Sequence, residues 1–168
     1  EEEEFAIKKN TENELNQDEF QNEFNNSFKL NHFNIIPLLG YVYEKHCIVL
    51  PFYKTGSLAK QLKEHHKNGR KQFDYKIRIK CLRGMFEGLV FLHSKDVIHC
   101  DIKPDNILFD DEMNVKLADF GISQKLNTHK SYLSHFGYTR GYVCPIAIIS
   151  GKLYKSGDIY SMGIVMCQ

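Results

Sequence analysis

Short apolar runs and longer periodic stretches divide this chain into predicted elements. Phe5-Ala6-Ile7-Lys8 reads as a short strand behind an acidic run, Glu1 to Glu4. Phe20, Phe24 and Phe28 recur every fourth residue, with Glu19 and Glu23 between them, which is one apolar stripe on a helix. Residues 35–43 and 47–52 read as two strands joined by a polar turn, Glu44-Lys45-His46. Gly56-Ser57-Leu58 reads as a helix start with Ser57 as N-cap. The strongest helix signal runs from Asp74 to His93. Cys81, Met85, Leu89 and Leu92 fall on one face, joined by Leu82 and Phe86. Gly84 and Gly88 sit inside it, each costing a helix about 1 kcal/mol relative to alanine. Close backbone packing is the expected reason for both. Residues 97–106 read as a strand end and loop, and 107–109 with 115–118 as a hairpin around Asp110-Asp111-Glu112. Residues 119–147 lack periodicity and read as a long loop, a feature that is usually functional inside a domain. Tyr160 to Cys167 begins a further apolar helix.

Bulk properties narrow the class. A chain of 168 residues, 42% hydrophobic and 26% charged, fits one soluble globular domain. The net charge of +1 gives no reason to expect nucleic acid or an anionic membrane as partner. No apolar run reaches the ~18–20 residues of a membrane span, and no start resembles a signal peptide. The five cysteines are scattered without a CxxC pair, which favours reduced thiols over disulfides or zinc. A cytoplasmic location is expected, including as the intracellular part of a longer membrane-linked protein.

The chemistry concentrates in one region. His99-Cys100-Asp101-Ile102-Lys103-Pro104-Asp105-Asn106, followed by Asp119-Phe120-Gly121, supplies an acid, a cation, an amide and a second acid. Phosphoryl transfer needs such a set: neutralised phosphate charge and a positioned nucleophile, with little covalent chemistry from the protein. One His-x-Asp is common and one Asp-Phe-Gly is weak. The two in this order, with Lys103 and Asn106 at these offsets, are specific. The set resembles a eukaryotic protein kinase catalytic domain. The resemblance runs from Phe5 to the last residue. It implies an α+β, bilobal fold that is partial at both ends. Residues 1–168 would form that partial domain, with 1–50 as small lobe, 51–56 as hinge and 57–168 as large lobe up to the helix after the activation segment.

The resemblance also implies roles. Asp101 would accept the proton of the substrate hydroxyl, and Lys103 would neutralise the transferring phosphoryl group. Asn106 and Asp119 would ligate Mg2+. Lys8 would hold the α- and β-phosphates of ATP, with Lys9 on the opposite strand face. Leu30-Asn31-His32-Phe33-Asn34-Ile35 sets a register that makes Glu23 the acidic partner of Lys8, with Glu19 one turn earlier as the alternative. Leu50 would be the gatekeeper. Pro51 would offer its carbonyl and Tyr53 its N–H to adenine, and Ala6 and Leu108 would sandwich the base. Proline lacks an N–H, but only its carbonyl is used. His99 would pack against Phe120, Thr139 would contact Asp101 and Lys103, and Asp158 would brace the catalytic loop.

Lys103 followed by Pro-x-Asn matches serine/threonine kinases. Phe73-x-Tyr75-x-x-Arg78, Gly84 and Gly88-Leu89-x-Phe91-Leu92-His93 are similar to the tyrosine-kinase-like group: Pelle, interleukin-receptor-associated kinases and plant receptor-like kinases. A protein substrate bearing Ser or Thr and an upstream receptor or adaptor follow as expected partners.

Four features depart from the family pattern. No glycine precedes Lys8, and the helices expected after Asp158 are not present. Cys100 replaces an arginine that clamps phosphate on the activation segment, and a thiol cannot make bidentate bonds. Ile146 follows Cys144-Pro145 where a glutamate is usual. Ser27, one turn after Glu23, is a lesser departure. These features support an alternative reading, a pseudokinase or truncated kinase-like fragment acting as a binding or scaffold module. Survival of Lys8, Asp101, Lys103, Asn106 and Asp119 favours the enzyme. Ser123, Thr128, Ser131, Tyr132, Ser134 and Tyr138 are unranked candidate phosphorylation sites. His65-His66, His129 and His135 read as solvated side chains, not metal ligands.

Overall fold

The computed structural model describes residues 4–9, 30–45, 47–68, 74–126 and 129–168. The phenylalanine stripe at 20, 24 and 28, together with Glu19, Glu23, Ser27, His46 and Thr128, lies outside the described residues.

Three antiparallel strands form the first sheet, in the order β1 (Phe5–Lys9), β3 (Cys47–Pro51), β2 (Gly40–Val42). Register sets Ala6 opposite Leu50 and Lys8 opposite Ile48. Strand alternation puts Ala6 and Lys8 on one face and Lys9 on the other. The strand predicted over 35–43 is shorter than its apolar run, because Pro37 has no N–H to donate. Its first residues serve a different strand. Ile35 bridges to Leu117, Ile36 N–H donates to the Leu117 carbonyl at 2.9 Å, and Leu117 N–H donates to the Asn34 carbonyl at 2.8 Å. The expected turn is a short 3-10 helix, Tyr43–Lys45.

The larger part starts with β4 (Gly56–Ser57) and α1 (Leu58–Asn68). Ser57 caps α1 as predicted, its Oγ accepting from Lys60 N–H at 3.3 Å. Helix α2 (Tyr75–Ser94) is capped by Asp74, whose carboxylate accepts from Ile77 N–H at 2.9 Å. Then come β5 (Val97–Ile98), a 3-10 turn (Pro104–Asn106), β6 (Ile107–Phe109) and β7 (Val115–Leu117). The predicted hairpin is the β6–β7 pair, and β4 extends it to the order β4-β6-β7. The long loop contains two short strands. β8 (Gln124–Lys125) pairs with β5, and β9 (Tyr132–Leu133) pairs with β10 (Leu153–Tyr154). Helices α3 (Pro145–Ser150) and α4 (Lys155–Met166) follow, so the last helix begins five residues before the expected Tyr160.

Met85, Leu89 and Leu92 of α2 pack with Val115, Leu117 and Phe120 in the main core. Phe86 does not join them. It follows Met85 by one residue, about 100° around the helix, and is exposed. A second cluster holds Ile98 and Cys100 against Leu133, Val143 and Leu153.

Both helix glycines mark close approach. A Cβ on Gly84 would lie 2.8 Å from Asn34 Nδ2 and 3.0 Å from Val115 Cβ, and one on Gly88 would lie 3.0 Å from the Asn34 carbonyl oxygen. Asn34 is itself committed, its Nδ2 donating to the Val115 carbonyl at 3.0 Å in the buried core. Gly84→Ala gains about 1 kcal/mol of helix propensity. It also displaces that amide, at about 1–3 kcal/mol for the broken buried bond, with overpacking added. The expected result is a net loss of about 1–3 kcal/mol, read as a lower urea midpoint at unchanged slope. An unchanged or higher midpoint would refute the packing account.

Candidate active site

The segment from β5 to β6 is held from below by one carboxylate. Asp158, in the first turn of α4 and 1% exposed, accepts His99 N–H at 2.9 Å and Cys100 N–H at 3.0 Å. His93 Nε2 lies 2.8 Å from the same carboxylate. Cys100 adopts a left-handed backbone, φ 71°, a conformation that costs a side-chain-bearing residue of order 1–3 kcal/mol unless its surroundings hold it. The two N–H bonds to Asp158 supply that hold. Buried Ile98 and Ile102 anchor the segment on either side, and Pro104 starts the 3-10 turn that carries Asn106.

Asp101 is the hub of the arrangement. Its Oδ2 accepts from Lys103 Nζ at 2.7 Å and from Asn106 Nδ2 at 2.9 Å. Its Oδ1 accepts from the Thr139 hydroxyl at 2.5 Å, and Lys103 Nζ also reaches Thr139 Oγ1 at 2.9 Å. Asn106 Nδ2 donates in addition to the Asp101 carbonyl at 2.9 Å. With that amide nitrogen committed, Oδ1 of Asn106 is the atom it can offer to a cation.

Asp119 lies beside this hub through backbone contacts. Ala118 N–H donates to the Asn106 carbonyl at 2.9 Å, and His99 Nε2 lies 3.1 Å from the Ala118 carbonyl. His99 Nδ1 accepts from Asp101 N–H at 3.3 Å, which leaves Nε2 as the protonated donor. The imidazole packs against Phe120 with ring centroids 5.2 Å apart, the structural role expected for it. Asp119 is also left-handed, φ 66°, and its Oδ1 accepts from Lys8 Nζ at 2.7 Å. Burial works against ionisation of Asp119. The Lys8 ammonium outweighs it by charge and hydrogen bond, with smaller help from His99 and Gly121 N–H, so the carboxyl titrates below its usual range.

The residues expected around adenine lie on β1, at the end of β3, in the turn that follows it and on β6. Ala6 faces Leu50 across β1–β3. Pro51 ends β3, and Tyr53 carbonyl accepts from Gly56 N–H at 2.9 Å, turning the chain into β4. β4 then pairs Ser57 with Leu108. Leu50, Tyr53 and Leu108 all lie partly buried against the main core. Burial pushes the Tyr53 phenol up, and the Asp110 charge adds to it. Glu23 lies outside the described residues.

Sequence reasoning placed His93 in a family pattern and Ser123 among candidate phosphorylation sites, but did not find what either one bonds. Each partner is remote in the chain: Asp158 for His93, and the His99 carbonyl, which Ser123 Oγ bonds at 2.9 Å. No local pattern marks either bond. Among the described residues no group of three or more His, Cys, Asp or Glu side chains could hold a metal, and no helix is long and apolar enough to cross a membrane.

Comparison with known proteins gives the family of the chain. The family model described as "Protein kinase domain" matches residues 1–168. Cysteine-rich receptor-like protein kinase 44 of Arabidopsis thaliana is 32% identical over 176 residues, covering 99% of this chain and 46% of that protein. Cysteine-rich receptor-like protein kinase 28 of the same plant is 34% identical, covering 89% of this chain and 23% of that protein. Nodulation receptor kinase of Pisum sativum is 36% identical, covering 89% of this chain and 17% of that protein. The chain thus spans less than half the length of these relatives.

Two predictions follow from the site's electrostatics. The depressed Asp119 gives a stability contribution present above the unfolded carboxylate value of about 3.9 and lost as pH falls through its folded value. Both side chains of the pair are nearly half exposed, so that contribution is at most about 1 kcal/mol. Lys8→Met removes the main opposition to burial, and the Asp119 titration, followed by carboxyl NMR, is expected to move upward. No movement would mean that Lys8 does not set it. Burial, and then the Asp158 charge, push the Cys100 thiol up, whereas Cys167 is exposed. Iodoacetamide at pH 8 is therefore expected to label Cys167 at least tenfold faster than Cys100 in the native protein. Comparable rates would contradict the buried position.

Proposed function

This chain belongs to the protein kinase family, and we propose that it is a serine/threonine kinase catalytic region that transfers the γ-phosphoryl group of Mg·ATP to a protein hydroxyl. The observation that carries this reading is the Asp101 hub, a carboxylate with both oxygens oriented by Lys103, Asn106 and Thr139. A carboxylate held this way points a lone pair at an incoming hydroxyl without reorganisation during reaction. Asp101 takes the hydroxyl proton as the oxygen attacks phosphorus. Lys103, two residues away and bonded to the same carboxylate, offsets charge on the transferring group. Thr139 fixes the distance between them, and its presence fits a serine or threonine acceptor.

The donor set suits Mg2+. Asn106 Oδ1 and the ionised Asp119 are hard oxygen ligands, and Mg2+ is usually held by one or two carboxylates plus substrate phosphates, not by an all-protein cage. When bound, the ion neutralises charge on the phosphate oxygens. Lys8 is within reach of the same space through Asp119, and its exchange from that carboxylate to the α- and β-phosphates completes the cationic lining. Adenine is assigned to the junction of Ala6, Leu50, Pro51, Tyr53 and Leu108. On this reading residues 1–50 form the small lobe with Glu23 as partner of Lys8, 51–56 the hinge and 57–168 the large lobe. The setting is cytoplasmic signalling downstream of a receptor or adaptor, consistent with the receptor-like names of the relatives.

The test pairs two variants. Asp101→Asn is expected to lower kcat by about 10²–10⁴-fold while keeping the rise in melting temperature that Mg·ATP produces. Asp119→Ala is expected to lose both. Full transfer activity in Asp101→Asn would remove the proposed base, and a nucleotide-induced rise in Asp119→Ala would remove Asp119 from the metal site.

A further inference from the structure

Helix α2 is apolar on two sides. One side carries Met85, Leu89 and Leu92 into the main core. At about 100° per residue, Tyr75, Ile79, Phe86 and Val90 fall within a sector of about 60° on the other side. They are 76%, 47%, 39% and 67% exposed. A surface helix needs one apolar stripe to dock on its own core, so this second stripe is not explained by the fold that α2 supports.

The stripe is complementary to itself. Its spacing of four, seven and four residues reads the same in both directions. Two copies of α2 running antiparallel therefore set Tyr75 against Val90 and Ile79 against Phe86, about a midpoint between Leu82 and Arg83. The same midpoint sets Arg78 against Glu87, a cation against a carboxylate. Glu87 Oε1 accepts from Arg83 Nε of its own helix at 2.7 Å, which leaves Oε2 for a second guanidinium. A parallel pair would instead oppose Arg78 to Arg78 and Glu87 to Glu87.

One end of the stripe also holds a receptacle for the other. An open depression of ≈ 490 Å³ is lined by His32, Phe86, Glu87, Val90, Phe91 and Ser94. Glu87, Val90, Phe91 and Ser94 have the spacing of the four-residue hole that receives a side chain from a facing helix. Its wall is set in place: the His32 ring stacks on Phe91 with centroids 4.7 Å apart, and His32 Nδ1 accepts from Asn34 N–H at 3.1 Å. In the antiparallel register the hole lies opposite Tyr75. A helical side chain leans toward its own N-terminus, which carries that tyrosine hydroxyl toward Ser94. Ser94 Oγ already donates to the Phe91 carbonyl at 2.7 Å, so it meets the hydroxyl as an acceptor. Tyr75 and Arg78 lie on one flank of the stripe, and Glu87 and Phe91 on the other. The two helices therefore cross at an angle, as ridges-into-grooves packing requires.

We propose that this face of α2 is a homodimer surface, on which two copies of the chain pair antiparallel and each inserts Tyr75 into the other's depression. The interface is isologous, so the Tyr75, Ile79–Phe86 and Arg78–Glu87 contacts each occur twice. Tyrosine supplies a large apolar body with a polar tip, and the two ion pairs fix orientation more than strength. The pairing does not depend on phosphoryl transfer.

The test is sedimentation equilibrium of the full chain without nucleotide, where a concentration-dependent dimer is expected. Tyr75→Ala should weaken it at least about tenfold. Tyr75 is exposed, so an unchanged thermal melt of the isolated monomer checks that the fold is kept. Arg78→Glu alone creates two carboxylate pairs across the dyad, and Glu87→Arg alone creates two guanidinium pairs. Each variant is expected to be monomeric. An equimolar mixture of the two should regain the dimer, because both contacts in the mixed pair join opposite charges. A parent chain that stays monomeric at about 100 μM overturns the proposal and leaves the face to a different protein. A dimer that Tyr75→Ala and both charge variants leave intact uses another surface. A mixture that stays monomeric overturns the antiparallel register.

Discussion

A buried carboxylate that accepts two successive backbone N–H groups is the constraint on which this site rests. Asp158 bonds the amides of His99 and Cys100, and a left-handed residue can persist between them because those bonds over-determine it. The turn at Cys100 sends the next residue, Asp101, toward Lys103, Asn106 and Thr139. It also leaves His99 with one ring nitrogen for Asp101 N–H and the other for the Ala118 carbonyl. Asp101 and the segment before Asp119 are thus positioned by the same peptide groups. Asp158 is linked in turn to His93 at the end of α2, so the longest helix and α4 share one anchor.

Much of the fold could be read from periodicity. The α2 stripe, its Asp74 start, the Ser57 cap and the β6–β7 hairpin all appear where local pattern places them, because each is decided by neighbours within a few residues. Phe86 and the 35–43 strand show where local pattern runs out. Apolar character alone does not say which face of a helix finds a partner. Nor does it say that Ile35 and Ile36 will serve β7 in place of β3. The hydroxyl–carboxylate and lysine–carboxylate pairs of the site are a different case. Their members were identifiable through family resemblance, but the distances among them depend on contacts across many residues. The bonds of His93 and Ser123 were not legible for the same reason: a histidine at the end of an apolar helix and a serine after Asp-Phe-Gly acquire these roles only from partners elsewhere.

Cys100 has a packing role in place of an electrostatic one. Its side chain joins Ile98, Leu133, Val143 and Leu153, so part of the segment after Asp119 is seated on the catalytic loop by apolar contact. The β9–β10 pair and the bond from Gln124 Nε2 to the His135 carbonyl, 2.9 Å, add to that seat. Order in this segment does not depend on a guanidinium at position 100. Ile146 is exposed on α3, so replacement of a charged residue there leaves no buried cation unpaired among the described residues.

The bonds that define the site join residues far apart in the chain. Lys8 and Asp119 are 111 residues apart, His99 and Asp158 59, and Lys103 and Thr139 36. Loop closure over such spans is entropically costly before the contact rewards it, whereas α2 needs only neighbours a turn away. Assembly of this site is therefore a late event on the folding path. An emerging chain can form its helices while Lys8 and Asp119 are still apart, and the carboxylate of Asp101 has its full set of partners only once Thr139 has joined it.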